Sequence, residues 1–170
     1  MTRRGPGPWR RRPALLAVFI ILFAAAMGGA ALLSRHGRSG PISTAIDPGD
    51  PVQVAVGRRI YGEQCARCHG ANLEGQPDWQ SRGPDGRLPA PPHDASGHTW
   101  HHADGVLFRI TRDGTAVVVG GGYESDMPGF GSVLSDAEIR AVLAFIKSTW
   151  PERERDFQER QSRSEREAAR

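Results

Sequence analysis

The chain has 170 residues, and its formal charge of +3 is unevenly spread. Seven basic residues precede position 40, whereas residues 41–151 carry nine basic and thirteen acidic ones, a local balance of −4. The length allows one domain with extensions, and the absence of a basic patch interleaved with aromatic residues argues against a nucleic-acid partner.

Residues 1–13 hold Arg3, Arg4, Arg10, Arg11 and Arg12 and no acid. Ala14–Leu33 is an uncharged apolar run, and about 20 such residues cross a bilayer as a helix. The positive-inside rule keeps residues 1–13 in the cytoplasm and sends the rest across. A cleaved signal peptide is the competing reading, since small residues occur over Ala24–Ala31. The run exceeds a usual signal core, which favours an uncleaved transmembrane anchor. Either way, the remainder of the chain is delivered outside the cytoplasm. A single-pass protein of the inner (cytoplasmic) membrane of a bacterium, its domain facing the periplasm, is the expected topology. Residues 34–50, rich in Gly, Ser, Pro and Asp, read as a linker.

A folded unit is expected over 51–151. Asp50 suits an N-cap and Pro51 a first helical position, and Val52, Val56, Ile60 and Tyr61 form a helical stripe. The stripe runs into Cys65-Ala66-Arg67-Cys68-His69, which contains the only two cysteines. C-x-x-C-H is an attachment sequence for c-type haem. Two thiols add across the haem vinyl groups, and the adjoining histidine supplies an axial nitrogen. A thioredoxin-like motif would need a strand before it, but the preceding segment reads as helix. A structural zinc site would need a second Cys or His pair at ligand spacing. A disulfide here would close a loop too small to constrain much.

Residues 70–102, with many Gly and Pro and no period, read as loop. A short helix is expected near Ala103–Arg112 on Val106, Leu107 and Ile110, although Gly105 weakens it. Thr115–Val119 is β-branched and suggests a short strand or extended segment. Ser135-Asp136-Ala137-Glu138 is a capping box, and Ile139, Val142, Leu143, Phe145 and Ile146 form the apolar face of a helix that Pro151 stops. Residues 152–170 hold six basic and six acidic residues and one aromatic, Phe157. They are expected to be a solvated, mobile charged tail, helical at most through i,i+4 pairs, with no face to bury.

An electron-transfer haem usually has two protein ligands, methionine being the common partner of histidine. Met1 starts the chain and Met27 lies in the apolar run, which leaves Met127. It stands in a Gly- and Pro-rich loop before the last capped helix. The bland alternative is a gap-filling methionine.

Gly57-x-x-x-Tyr61, C-x-x-C-H-Gly, Met127-Pro128-x-Phe130 and the terminal amphipathic helix together resemble the class I (mitochondrial-type) cytochrome c family over about residues 50–150. The resemblance implies an all-α fold of three to four helices around one covalent haem c. In it the first and last helices cross near Gly57 and Phe145. It also implies thioethers at Cys65 and Cys68, axial ligands His69 and Met127, and a proline carbonyl bonded to the ligand histidine, with Pro89, Pro91 and Pro92 as candidates. A Trp often lies near the haem or its propionates in this family, a place that Trp100 would fill.

His93, His98, His101 and His102 depart from a plain electron carrier. They are candidates for haem-edge or backbone bonding, for a second copper or zinc site, for replacing Met127, for pH tuning, or for docking one redox partner. The expected protein is an electron carrier rather than an enzyme, with no small-molecule substrate. It would pass single electrons between redox proteins, among them membrane-bound respiratory components. Three rivals stand beside it: a haem enzyme or gas sensor with an open axial position, a copper- or zinc-handling protein, and a haem subunit of a larger oxidoreductase.

Overall fold

Asp50 starts the first helix by accepting hydrogen bonds from the Val52 and Gln53 backbone N–H groups through its carboxylate, with Pro51 in the first turn. The structure, a computed structural model, describes residues 45–170. The basic N-terminus, the anchor at 14–33 and most of the 34–50 linker lie outside the described residues. In chain order the helices are α1 (Pro51–Gln64), α2 (Ala66–His69), a 3-10 turn (Thr99–His101), α3 (Asp104–Asp113), α4 (Thr115–Val119), α5 (Asp136–Ser148) and α6 (Glu152–Ala168). Among the described residues there is no strand, and no helix is long and apolar enough to cross a membrane.

The main packing is α1 against α5. Gly57 makes it possible: a Cβ there would run into the Ala141 carbonyl and lie 2.9 Å from Phe145 Cβ. The expected crossing of these helices is therefore present, and α1 is rotated to achieve it. Its buried face is Gln53, Gly57, Ile60 and Tyr61, while Val52 is 45% exposed. Gln53 tolerates burial because its Oε1 accepts from the Asp47 N–H and its Nε2 donates to the Ala45 carbonyl. The core comprises Ile60, Tyr61, Cys65, Leu73, Leu107 and, from α5 and its end, Ile139, Val142, Leu143, Phe145, Ile146 and Trp150. The capping box at Ser135 and Glu138 forms as expected.

Two segments differ from expectation. Thr115–Val119 is a helix, not a strand. It is bracketed by Gly114 (φ 91°) and Gly120 (φ 69°), and the Val118 and Gly120 N–H groups bond within the segment. With no strand among the described residues to pair with, a helical turn satisfies the backbone locally and overrides the β-branched side chains.

The second correction concerns residues 152–170, which form α6 and do bury a face. Glu154, Gln158 and Ser162, at i, i+4 and i+8, are 9%, 0% and 1% exposed. The two N–H groups of Gln158 Nε2 are shared among the His102 carbonyl, the Asp104 carboxylate and Ser162 Oγ. Asp104 also takes a 2.7 Å bond from Lys147 of α5. At the start of α3, the Asp104 N–H donates to Ser162 Oγ and the Gly105 N–H to the Glu165 carboxylate. α3 has no side-chain cap of its own, so α6 caps it from outside. Gly105, an oddity inside a helical pattern, leaves room for the Glu165 carboxylate against the α3 backbone.

Candidate haem site

The site is built on the last turn of α1. Cys65 closes that helix with its N–H on the Tyr61 carbonyl, and its own carbonyl accepts from Cys68 and His69. The motif is thus one helical turn, Ala66–His69, and the spacing of three puts Cys65 and Cys68 on one side of it. Gly70 (φ 81°) stops the turn. The Tyr61 hydroxyl donates to the Gly70 carbonyl at 2.9 Å, tying the end of the motif back to α1.

Neither cysteine is in a disulfide. Burial, and then the neighbouring Cys68, pushes the Cys65 thiol up to about 11. A thiol-disulfide oxidoreductase needs the opposite, a thiolate stabilised near neutral pH. The helical lead-in, where a thioredoxin-like motif would follow a strand, argues against that reading.

His69 is 5% exposed, and its Nδ1–H donates to the Pro91 carbonyl at 2.8 Å. A carbonyl can only accept, so the proton sits on Nδ1 and the lone pair on Nε2. Burial pulls the His69 pKa down, the Pro91 bond acting against it, which favours the neutral imidazole that ligates a metal. Of the three candidate prolines the structure selects Pro91. Gly75 (φ 68°) admits it, since a Cβ there would collide with the Pro91–Pro92 backbone. Bonds between Gln76 and Ala90, and from the His93 N–H to the Leu73 carbonyl, close this loop against the motif.

Met127 enters on a separate loop and is half-buried. The loop is pinned to the end of α3, with the Phe130 and Gly131 N–H groups donating to the Thr111 and Arg112 carbonyls. Gly114 lets Met127, Pro128 and Gly129 approach. A 2.6 Å ion pair from Arg87 to Asp126 ties this loop to the one that carries Pro91.

The four clustered histidines take different ring partners, although His98 and His102 stay in contact with each other. His93 lies on His69, and its Nδ1 bonds to Thr99 Oγ1. His98 stacks on Trp79, with His102 edge-on to it. His101 packs on Trp100 and Phe157. Trp100 is half-buried, with its Nε1–H on the Ala95 carbonyl and its ring edge-on to Phe157 of α6. Among the described residues no group of three or more His, Cys, Asp or Glu is arranged to hold a metal ion, so the copper or zinc reading of the cluster finds no support. The Tyr61 clamp, the role of Gly75 and the stacking of His93 go beyond what the sequence motifs indicate. Only Gly75, close to a Pro-rich return of the chain, leaves a signal that a reading of the sequence could follow.

The donor set fits covalent haem: two unbridged thiols one turn apart, and a buried histidine whose Nδ1–H is held by the Pro91 carbonyl, which leaves Nε2 as the nitrogen that could take iron. No curated protein and no solved structure matches the chain. The family model for cytochrome c matches residues 54–150, more than half of the sequence. The chain therefore belongs to the cytochrome c family, carries covalently attached haem c, and serves haem-based electron transfer with redox proteins as partners.

Proposed function

We propose that this protein is a monohaem electron carrier whose haem is held by Cys65 and Cys68 and ligated by His69 and Met127. An N-terminal anchor would tether it to the cytoplasmic membrane with the haem domain on the periplasmic side. The observation that carries the reading is the His69 Nδ1–H bond to the Pro91 carbonyl. It fixes one tautomer and leaves Nε2 as the ligating atom in a buried site. Haem supplies a reversible one-electron iron couple, whose potential depends on the axial ligands, the hydrogen bonds behind them and burial.

The chain supplies the rest. Cys65 and Cys68 fix position through one helical turn, and Tyr61 holds the end of that turn. Pro91 orients His69. Met127 is presented by a loop fastened at three places: Thr111, Arg112 and Arg87. A fastened ligand loop disfavours opening of the axial position, which supports a carrier over a gas sensor or a haem oxidoreductase. A tethered domain would exchange electrons with membrane-bound respiratory components. The test is carbon monoxide binding to the reduced holoprotein. Wild type is expected to resist it and Met127→Ala to bind it readily. Ready binding by wild type would contradict Met127 ligation.

A further inference from the structure

We infer that His93 is a positioning residue for the axial histidine, setting the rotation of the His69 ring plane. The inference rests on the reading of His69 as the iron ligand. The His93 and His69 ring centroids are 3.9 Å apart, with the planes inclined by 20°. This is a flat contact along the face of the ligand. The Pro91 bond alone leaves the His69 ring one soft motion, because carbonyls accept over a broad range of directions and the terminal torsion of histidine is broad. A second ring against its face removes that motion.

His93 is itself held by its backbone and by its ring. Its N–H donates to the Leu73 carbonyl at 2.8 Å, and its carbonyl accepts from Trp150 Nε1 at 2.7 Å. His93 Nδ1 and the Thr99 hydroxyl are hydrogen-bonded at 2.8 Å, which holds the ring. The edge of Tyr61 faces the ring at 6.3 Å. Bonds therefore reach His93 from the Leu73 loop, from Thr99 and from the end of α5. Pro91 and His93, two residues apart, divide the work: the first orients His69 and the second covers its face. An aliphatic side chain could fill the same volume without imposing an angle. A ring held through its Nδ1, on a backbone fixed by its N–H and its carbonyl, argues for orientation rather than packing. The plane of an axial imidazole sets how unpaired spin is shared among the haem pyrroles, so its rotation is read directly from the oxidised protein.

The experiment compares the haem-methyl proton shifts of oxidised wild type, His93→Leu, His93→Phe and Thr99→Val, each as full-length holoprotein. His93→Leu is expected to change the order or spread of the four methyl shifts, with helical circular dichroism unchanged. His93→Phe, which keeps a flat face, is expected to stay nearer the wild-type pattern. Thr99→Val, which frees the His93 ring without removing it, is expected to give a smaller change in the same direction. Wild-type patterns in both His93→Leu and Thr99→Val overturn the inference. If His93→Leu fails to retain haem, Thr99→Val decides by itself, and an unchanged pattern there overturns it. A wild-type protein without low-spin, histidine-ligated iron would instead overturn the His69 reading, and the inference with it.

Discussion

Gly57→Ala is expected to destabilise the protein although alanine is the better helix former. Alanine in a helix interior gains about 1 kcal/mol over glycine. At Gly57, however, the new methyl group would meet the Ala141 carbonyl and lie 2.9 Å from Phe145 Cβ. The obstruction is backbone, which no rotamer change relieves. The helices must part by about 1 Å, and a gap of that size forfeits roughly a quarter to a half of each dispersion contact across it. Overpacking of this kind costs about 1–3 kcal/mol, and a backbone obstacle belongs at the upper end. Subtracting the propensity gain leaves a net loss of about 2 kcal/mol, or roughly 4–8 °C in Tm for a chain of this size.

Gly62, on the same helix, has open space where its Cβ would go. Gly62→Ala is therefore expected to stabilise by about 0.5–1 kcal/mol. Guanidinium unfolding of both variants, followed by far-UV circular dichroism, measures the pair. If Gly57→Ala were as stable as Gly62→Ala, the close crossing of α1 and α5 would be refuted.

Ser162→Ala removes the oxygen that caps the start of α3 and is expected to cost about 1 kcal/mol in the same unfolding assay. Deletion of 152–170 should cost more, and a deletion without effect would restore the view of this segment as an idle tail. Burial, and then the neighbouring histidines, pulls the pKa values of His98 and His102 below the ordinary 6.5. The unfolded chain then binds more protons than the native one below that pH. Stability is fully present above about 6.5 and falls as the pH drops through that value, a slope that His98→Gln with His102→Gln should flatten. Asp126→Ala breaks the Arg87 pair beside Met127. An exposed pair is worth at most about 1 kcal/mol, so loop opening should rise no more than roughly fivefold. The rate at which imidazole enters the oxidised haem reads that change.

The features legible in the sequence are those fixed by near neighbours. Asp50 with Pro51, and Ser135 with Glu138, are caps whose partners lie within three residues. Cys65, Cys68 and His69 sit on one turn. The choice of Pro91 over Pro89 and Pro92 depends on where a loop of more than twenty residues returns, and no local pattern carries that. The buried face of α6 escapes a sequence reading because its stripe of Glu154, Gln158 and Ser162 is polar. Its spacing of four is visible, but a search for apolar periodicity passes over it. Burial there depends on partners supplied by His102 and Asp104, far off in sequence. The inner face of α1 differs from the valine stripe because Gly57, not a valine, makes the closest approach.

His69 and Met127 as the two axial ligands are tested most sharply by the absorption spectrum of the oxidised holoprotein. A low-spin spectrum is expected, with the weak methionine-to-iron band at the red end of the visible range, from haem that stays on the polypeptide after denaturation. A high-spin spectrum without that band would contradict this ligation.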